Sequence, residues 1–217
     1  VTDVTPARRE SDGIDRRTII KGAAWAVPVM AVAVAAPLAA ASVNNSGLAV
    51  TNTQTGLLSL NLLDGGGTLT ATALTTVPTE FTITNGAGAI NQTATVTVTV
   101  GRPAGINLPV GRARGFGVYS LNGVPSTAGQ RTAVYQSAAI VGQYGFPLTT
   151  FTTTLPVNIP SNGTQTVPFV LGLAGNSTGV SISALATFPV TIVVDFGNGL
   201  TRTATSSVTV PVGAGIL

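Results

Sequence analysis

The stretch Gln92 to Val100, QTATVTVTV, alternates without interruption. Ala94, Val96, Val98 and Val100 fall on one face, and Thr93, Thr95, Thr97 and Thr99 on the other. Successive residues of an extended chain point to opposite sides, so this pattern predicts a strand with one buried face. β-Branched Val and Thr suit a pleated surface. The same period of two runs through Leu58/Leu60/Leu62, Leu69/Ala71/Ala73, Phe81/Ile83, Phe169/Leu171/Leu173, Val180/Ile182/Ala184 and Ile192/Val194. Helical periodicity is hard to find after about residue 42, and Gly and Pro punctuate the rest. The expected class is all-β.

Sliding the chain so that Thr53 meets Thr164 brings out a repeat. Thr53-Gln54-Thr55 falls on Thr164-Gln165-Thr166, Leu60 and Leu62 on Leu171 and Leu173, Ala73-Leu74 on Ala184-Leu185, and Pro78 on Pro189. One deletion after Gly86 and Gly88 (matched to Gly197 and Gly199) restores the match. Thr93-Ala94-Thr95 then meets Thr203-Ala204-Thr205, and Val98-Thr99-Val100 meets Val208-Thr209-Val210. The alternation keeps its phase across the repeat, where a slip of one residue would turn every apolar set outward. The expectation is a duplicated four-stranded unit built from two hairpins. Asp64-Gly65-Gly66-Gly67 and Asn85-Gly86-Ala87-Gly88 are the turns, and Pro78 and Pro189 mark the crossing between hairpins.

Charge is concentrated at the N-terminus. Arg8, Arg9, Arg16, Arg17 and Lys21 precede an uncharged apolar run, Gly22 to Ala41, which closes on Ala39-Ala40-Ala41-Ser42. A basic region, an apolar helical stretch and an A-x-A site in that order read as a signal peptide cut after Ala41. A retained anchor is the other reading of the same stretch. Arg16-Arg17-Thr18-Ile19-Ile20-Lys21 resembles the twin-arginine export motif, in which Arg16, Arg17, Ile19, Ile20 and Lys21 fill the pattern. Asp15 and Ile19 stand where Ser or Thr and Phe are common. The leader as a whole looks like those of actinobacterial exported proteins. The resemblance implies a secreted or wall-associated protein that folds before transport.

The segment Ile159 to Val170, IPSNGTQTVPFV, resembles a strand–turn–strand stretch of immunoglobulin-like modules in bacterial surface proteins. That resemblance implies tandem immunoglobulin-like β-sandwich lobes, with one merged sandwich as the alternative. The expected layout is a signal peptide at 1–41, a first lobe at 42–104, and a second at 105–217 that carries an insert or extra strands at 101–155.

Composition narrows the function. Only 8% of the 217 residues are charged, against about a quarter in an ordinary domain. After Lys21 there are Arg102, Arg112, Arg114, Arg131 and Arg202 against Asp64, Glu80 and Asp195. This is far from the dense basic face that nucleic acid demands, so none is expected as a partner. His and Cys are absent, and Lys21 is the last lysine. A serine nucleophile would lack its usual base, and zinc its preferred ligands. Only Asp64, Glu80 and Asp195 are left for a carboxylate pair. The chain is therefore read as non-catalytic, with no cofactor and no metal site. The first expectation is a structural or adhesive surface protein, in which an exposed Thr93–Val100 edge adds a strand from another copy or from a cell-envelope component. The alternative is a carbohydrate- or ligand-binding module. All three tyrosines and most of the later arginines lie at 101–155, and both residue types are common at binding surfaces. Arg112, Arg114, Tyr119, Arg131, Tyr135 and Tyr144 are the candidate surface.

Overall fold

The computed structural model describes residues 46–64, 68–178 and 184–212. The export motif (Arg16, Arg17, Ile19, Ile20, Lys21), the cleavage site (Ala39, Ala41, Ser42) and Gly65–Gly67 lie outside them.

The described residues form ten strands and one 3-10 turn, Ala128–Gln130. The strands are β1 (Gly47–Asn61), β2 (Thr68–Thr84), β3 (Ile90–Val100), β4 (Gly115–Leu121), β5 (Val124–Pro125), β6 (Arg131–Ala138), β7 (Gly142–Ile159), β8 (Thr164–Ala174), β9 (Ala184–Asp195) and β10 (Thr201–Val212). They pair antiparallel in the order β5-β4-β8-β2-β10-β9-β3-β7-β6, with β1 added on β2. The all-β expectation therefore holds, as a single curled antiparallel sheet.

The curl has a local cause in β2. Its second half, Glu80 to Thr84, pairs with β8. Toward its first half, Thr76 pairs with Thr209 of β10. Pro78 sits between the two stretches, where β2 changes neighbours. A residue without an N–H is tolerated where the ladder on that side is interrupted. One side of the molecule is thus β1-β2-β8-β4-β5, and the other is β10-β9-β3-β7-β6.

Between them lies one apolar cluster, to which strands of both repeats contribute. Phe188 of β9 packs edge-on against Phe116 of β4 (5.0 Å between centroids) and Phe146 of β7 (5.4 Å). Phe81 of β2 meets Phe169 of β8 at 6.2 Å. The alternation read from sequence sets the inward face. Ala94, Val96, Val98 and Val100 are buried, as are Ala186, Phe188, Val190, Ile192 and Val194. Positions matched by the repeat are buried alike, as at Leu60 and Leu171, Ile83 and Val194, and Val98 and Val208.

Several expectations are corrected. Pro78 and Pro189 lie inside the continuous strands β2 and β9, so neither marks a crossing between hairpins. The Asn85–Gly88 turn does not close a hairpin, since β2 and β3 are not neighbours. It crosses from one side of the sandwich to the other. β3 is not an edge: β7 and β9 flank it, which removes it as a site of strand addition. Strand pairing also joins residues on either side of position 104, with β2 against β8 and β3 against β9.

The crossing loop is held by a buried side chain. Asn85 is 4% exposed, and its Nδ2 donates to the carbonyls of Gly88 (2.7 Å), Pro160 (2.9 Å) and Ile159 (3.3 Å). The backbones of the two loops also join, through Asn85 N to Gly163 O and Asn162 N to Gly86 O. The crossover is thereby stitched to the turn between β7 and β8.

Candidate cleft of Arg112, Arg114 and Tyr135

The β6–β7 hairpin forks. Its register shifts between Val134 and Gln136, and the chain before β4 fills the gap. Arg102 enters first: its Nε donates to Phe146 O (2.9 Å) and its Nη2 to Val134 O (2.8 Å). One guanidinium thus bridges both arms of the fork, and its fixed geometry suits two carbonyls. Gly145 N then donates to Gly111 O (2.8 Å), and Ala113 N to Gly145 O (3.0 Å). Gly145 has φ +81°, a conformation that a residue with a side chain rarely adopts.

Arg112 lies between those two bonds. Its own N–H donates to Thr178 Oγ1 (2.7 Å), and its carbonyl accepts from Thr178 N (2.9 Å). The backbone is therefore fixed on both sides, and the side chain runs out over Tyr135. The guanidinium carbon is 5.7 Å from the ring centroid, and Nη1 donates to Gln143 Oε1 at 3.2 Å. A cation over an aromatic face is favourable.

Tyr135 anchors the floor. Its hydroxyl accepts from Asn176 N (2.9 Å) and has two carbonyls in reach, Asn176 O (2.7 Å) and Ala113 O (3.1 Å). Burial raises its pKa above the ordinary 10.0. The Asn176 backbone bond and the charges of Arg112 and Arg114 pull the other way.

These residues line an open cleft of ≈ 430 Å³ together with Arg114, Asp64 and Asn176, over an apolar base that includes Leu62 and Leu173. Asp64 stands at the rim. Its Oδ2 accepts the Gly175 N–H at 3.2 Å, and its Oδ1 is 3.9 Å from Arg131 Nη2. Asp64 also borders a smaller pit of ≈ 80 Å³, and Arg131 lines that pit.

The structure thus brings Arg112, Arg114 and Tyr135 together and sets Arg131 next door, linked through Asp64. Tyr119 and Tyr144 are not among the residues lining the cleft. Tyr119 lies on β4 at a register shift, and Tyr144 stands opposite Gln136 on the β6–β7 hairpin. Sequence reasoning missed Asp64, Gln143, Gly175 and Asn176. The sequence offers Asp64 as the start of a turn and as a candidate for a carboxylate pair, not as part of the Arg/Tyr surface. Gly175 and Asn176 follow β8 and carry no local signal of a site.

Elsewhere, Glu80 lines a second opening of ≈ 420 Å³ with Asn52, Pro78 and Pro168, and Thr51 donates to it at 3.4 Å. Asp195 caps its own turn, accepting from Gly197 N at 2.8 Å. No protein-family model matches the chain, nor does any curated protein or solved structure.

Proposed function

We propose that this chain is an exported, non-catalytic surface module that binds an extracellular ligand in the Arg112–Arg114–Tyr135 cleft. The observation that carries this reading is the convergence of four separate segments on one opening, the chain after β1 with Leu62 and Asp64 being one of them. It is joined there by residues 111–114, the β6–β7 hairpin and the chain after β8, each fixed by backbone hydrogen bonds. Polar groups placed over an apolar base on a rigid frame are what small-ligand recognition requires. Glycan-array binding by the chain, lost in R114A and in Q143A, is the expected result. Binding that survives both substitutions contradicts the site.

The frame itself is read as a single immunoglobulin-like sandwich. Strand order supports this: β1-β2-β8-β4 follows the A-B-E-D sheet, and β10-β9-β3-β7-β6 follows G-F-C with two added strands. The chain order departs from that scheme, because β4 precedes β6 and β7. The twin-arginine leader supports export, and the expected mature N-terminus is Ser42. Sequencing the secreted form checks this, and an intact leader on that form contradicts it.

A structural or adhesive role is the second reading. The tip of the β6–β7 hairpin is apolar, with Ile140 98% exposed and Val141 beside it. Outward threonines replace charge on the strands, as in the row Thr51–Thr82–Thr166. Loss of self-association or cell attachment in I140D supports this role. A strictly monomeric protein that never associates with cells contradicts it.

A further inference from the structure

We infer that the cleft selects a carboxylate-bearing glycan, and that Asp64 is an internal competitor occupying part of its anion site. The inference rests on the binding reading above and adds the ligand's chemical class. Its basis is how the chain treats its own carboxylate. Asp64 is held by a backbone N–H, that of Gly175 (3.2 Å), and faces Arg131 at 3.9 Å. Both are groups that bind carboxylates wherever they occur. The Asp64 side chain is nonetheless 59% exposed, whereas that of Arg131 is 17% exposed. A solvent-facing carboxylate held by one N–H and a distant cation is weakly retained, because water screens the pair.

The charge balance around it favours a second anion. Arg112 and Arg114 line the same cleft, and Asp64 is the only carboxylate among the lining residues. Arg131 adds a third cation at the adjoining pit. Arg102 and Arg202 lie elsewhere and donate to backbone carbonyls: Arg102 to Val134 and Phe146, Arg202 to Ser46 and Thr201. Three of the five described arginines, Arg112, Arg114 and Arg131, therefore surround one acidic rim.

The remaining lining fits a sugar better than a peptide. Gln143 and Asn176 carry amides that match paired hydroxyls, and Leu62 and Ala133 add apolar surface to the lining. Arg112 already covers the Tyr135 ring, so the ring is not the stacking platform. The guanidinium is presented instead.

The test is calorimetric titration of the full chain with a galacturonic-acid trisaccharide and with its methyl ester, which has the same shape but no charge. The acid is expected to bind, and the ester at least about tenfold more weakly. R112Q is expected to lose about tenfold or more for the acid and little for the ester. D64N keeps an oxygen for the Gly175 N–H but removes the competing charge, so it is expected to gain about two- to fivefold for the acid alone. Raising salt from about 0.05 to about 0.5 M is expected to weaken the acid and spare the ester. Equal binding of acid and ester, or a D64N variant that binds the acid less well, overturns the inference and leaves ligand binding standing. Binding of a Glu-rich peptide but not of the acid overturns the glycan assignment. Binding of neutral glycans but of no acidic one on an array overturns the inference alone, and binding of no glycan at all overturns both.

Discussion

One hydroxyl, that of Tyr135, ties β6 to the chain before β4 and to the chain after β8. Its loss in Y135F leaves the Asn176 N–H without that acceptor, at an expected cost of about 1–2 kcal/mol in urea denaturation. The raised pKa adds a pH signature. The folded state holds the Tyr135 proton more tightly than the unfolded chain does, so this contribution to stability is complete below pH 10.0 and is lost as pH rises through the folded pKa. Unfolding curves are expected to show a decline above pH 10.0 that is reduced in Y135F. Gly175 is fixed by the same hydroxyl. It has φ +76°, and a methyl group there would lie 2.3 Å from the Tyr135 oxygen. G175A is therefore expected to cost more than about 2 kcal/mol. Asn85 is the other residue on which a connection depends. N85D replaces a donor to three carbonyls with a buried acceptor, and the expected loss is about 3 kcal/mol or more.

Strands were legible because burial writes itself into the sequence with a period of two. The inward positions of β3 and β9 follow the alternation residue by residue. Pairing was not legible, because the local signals for a turn and for a crossover are the same. Asn85-Gly86 looks like a hairpin turn yet leads to a strand on the other side. Pro78 looks like a break yet sits where β2 trades one neighbour for another. The site was half legible for a similar reason. Arg112, Arg114 and Tyr135 come from one stretch that is rich in arginine and tyrosine. Asp64 and Asn176 are brought in by strands distant in sequence, and only the pairing reveals them. At this scale the sheet order predicts amide exchange. The amides of β3 and β9, each flanked on both sides, are expected to exchange most slowly. Those of β5 and β6, at the two ends of the pairing order, are expected to exchange fastest. Faster exchange in β3 than in β6 contradicts the order. The ends are also blunted: β5 is two residues long and β6 carries a register shift, both of which discourage open-ended strand addition.

As a whole, the described residues share one core, drawn from strands on both sides of residue 104, so the two halves of the chain are expected to depend on each other. Residues 42–104 expressed alone would leave β2 without β8 and β10, and β3 without β7 and β9. That fragment is expected to be unfolded by circular dichroism, and the intact chain to melt in a single transition with matching calorimetric and van't Hoff enthalpies. Two separate transitions would mean two independent lobes. This scaffold places the cleft at a forked hairpin, where four segments meet. The most direct check of that placement is amide chemical-shift mapping during titration with the galacturonic-acid trisaccharide. Shifts confined to Arg112–Arg114, Tyr135, Gln143, Gly175 and Asn176 are the predicted result. Shifts gathered around Asn52, Glu80 and Val170, or spread over the surface without saturation, would contradict it.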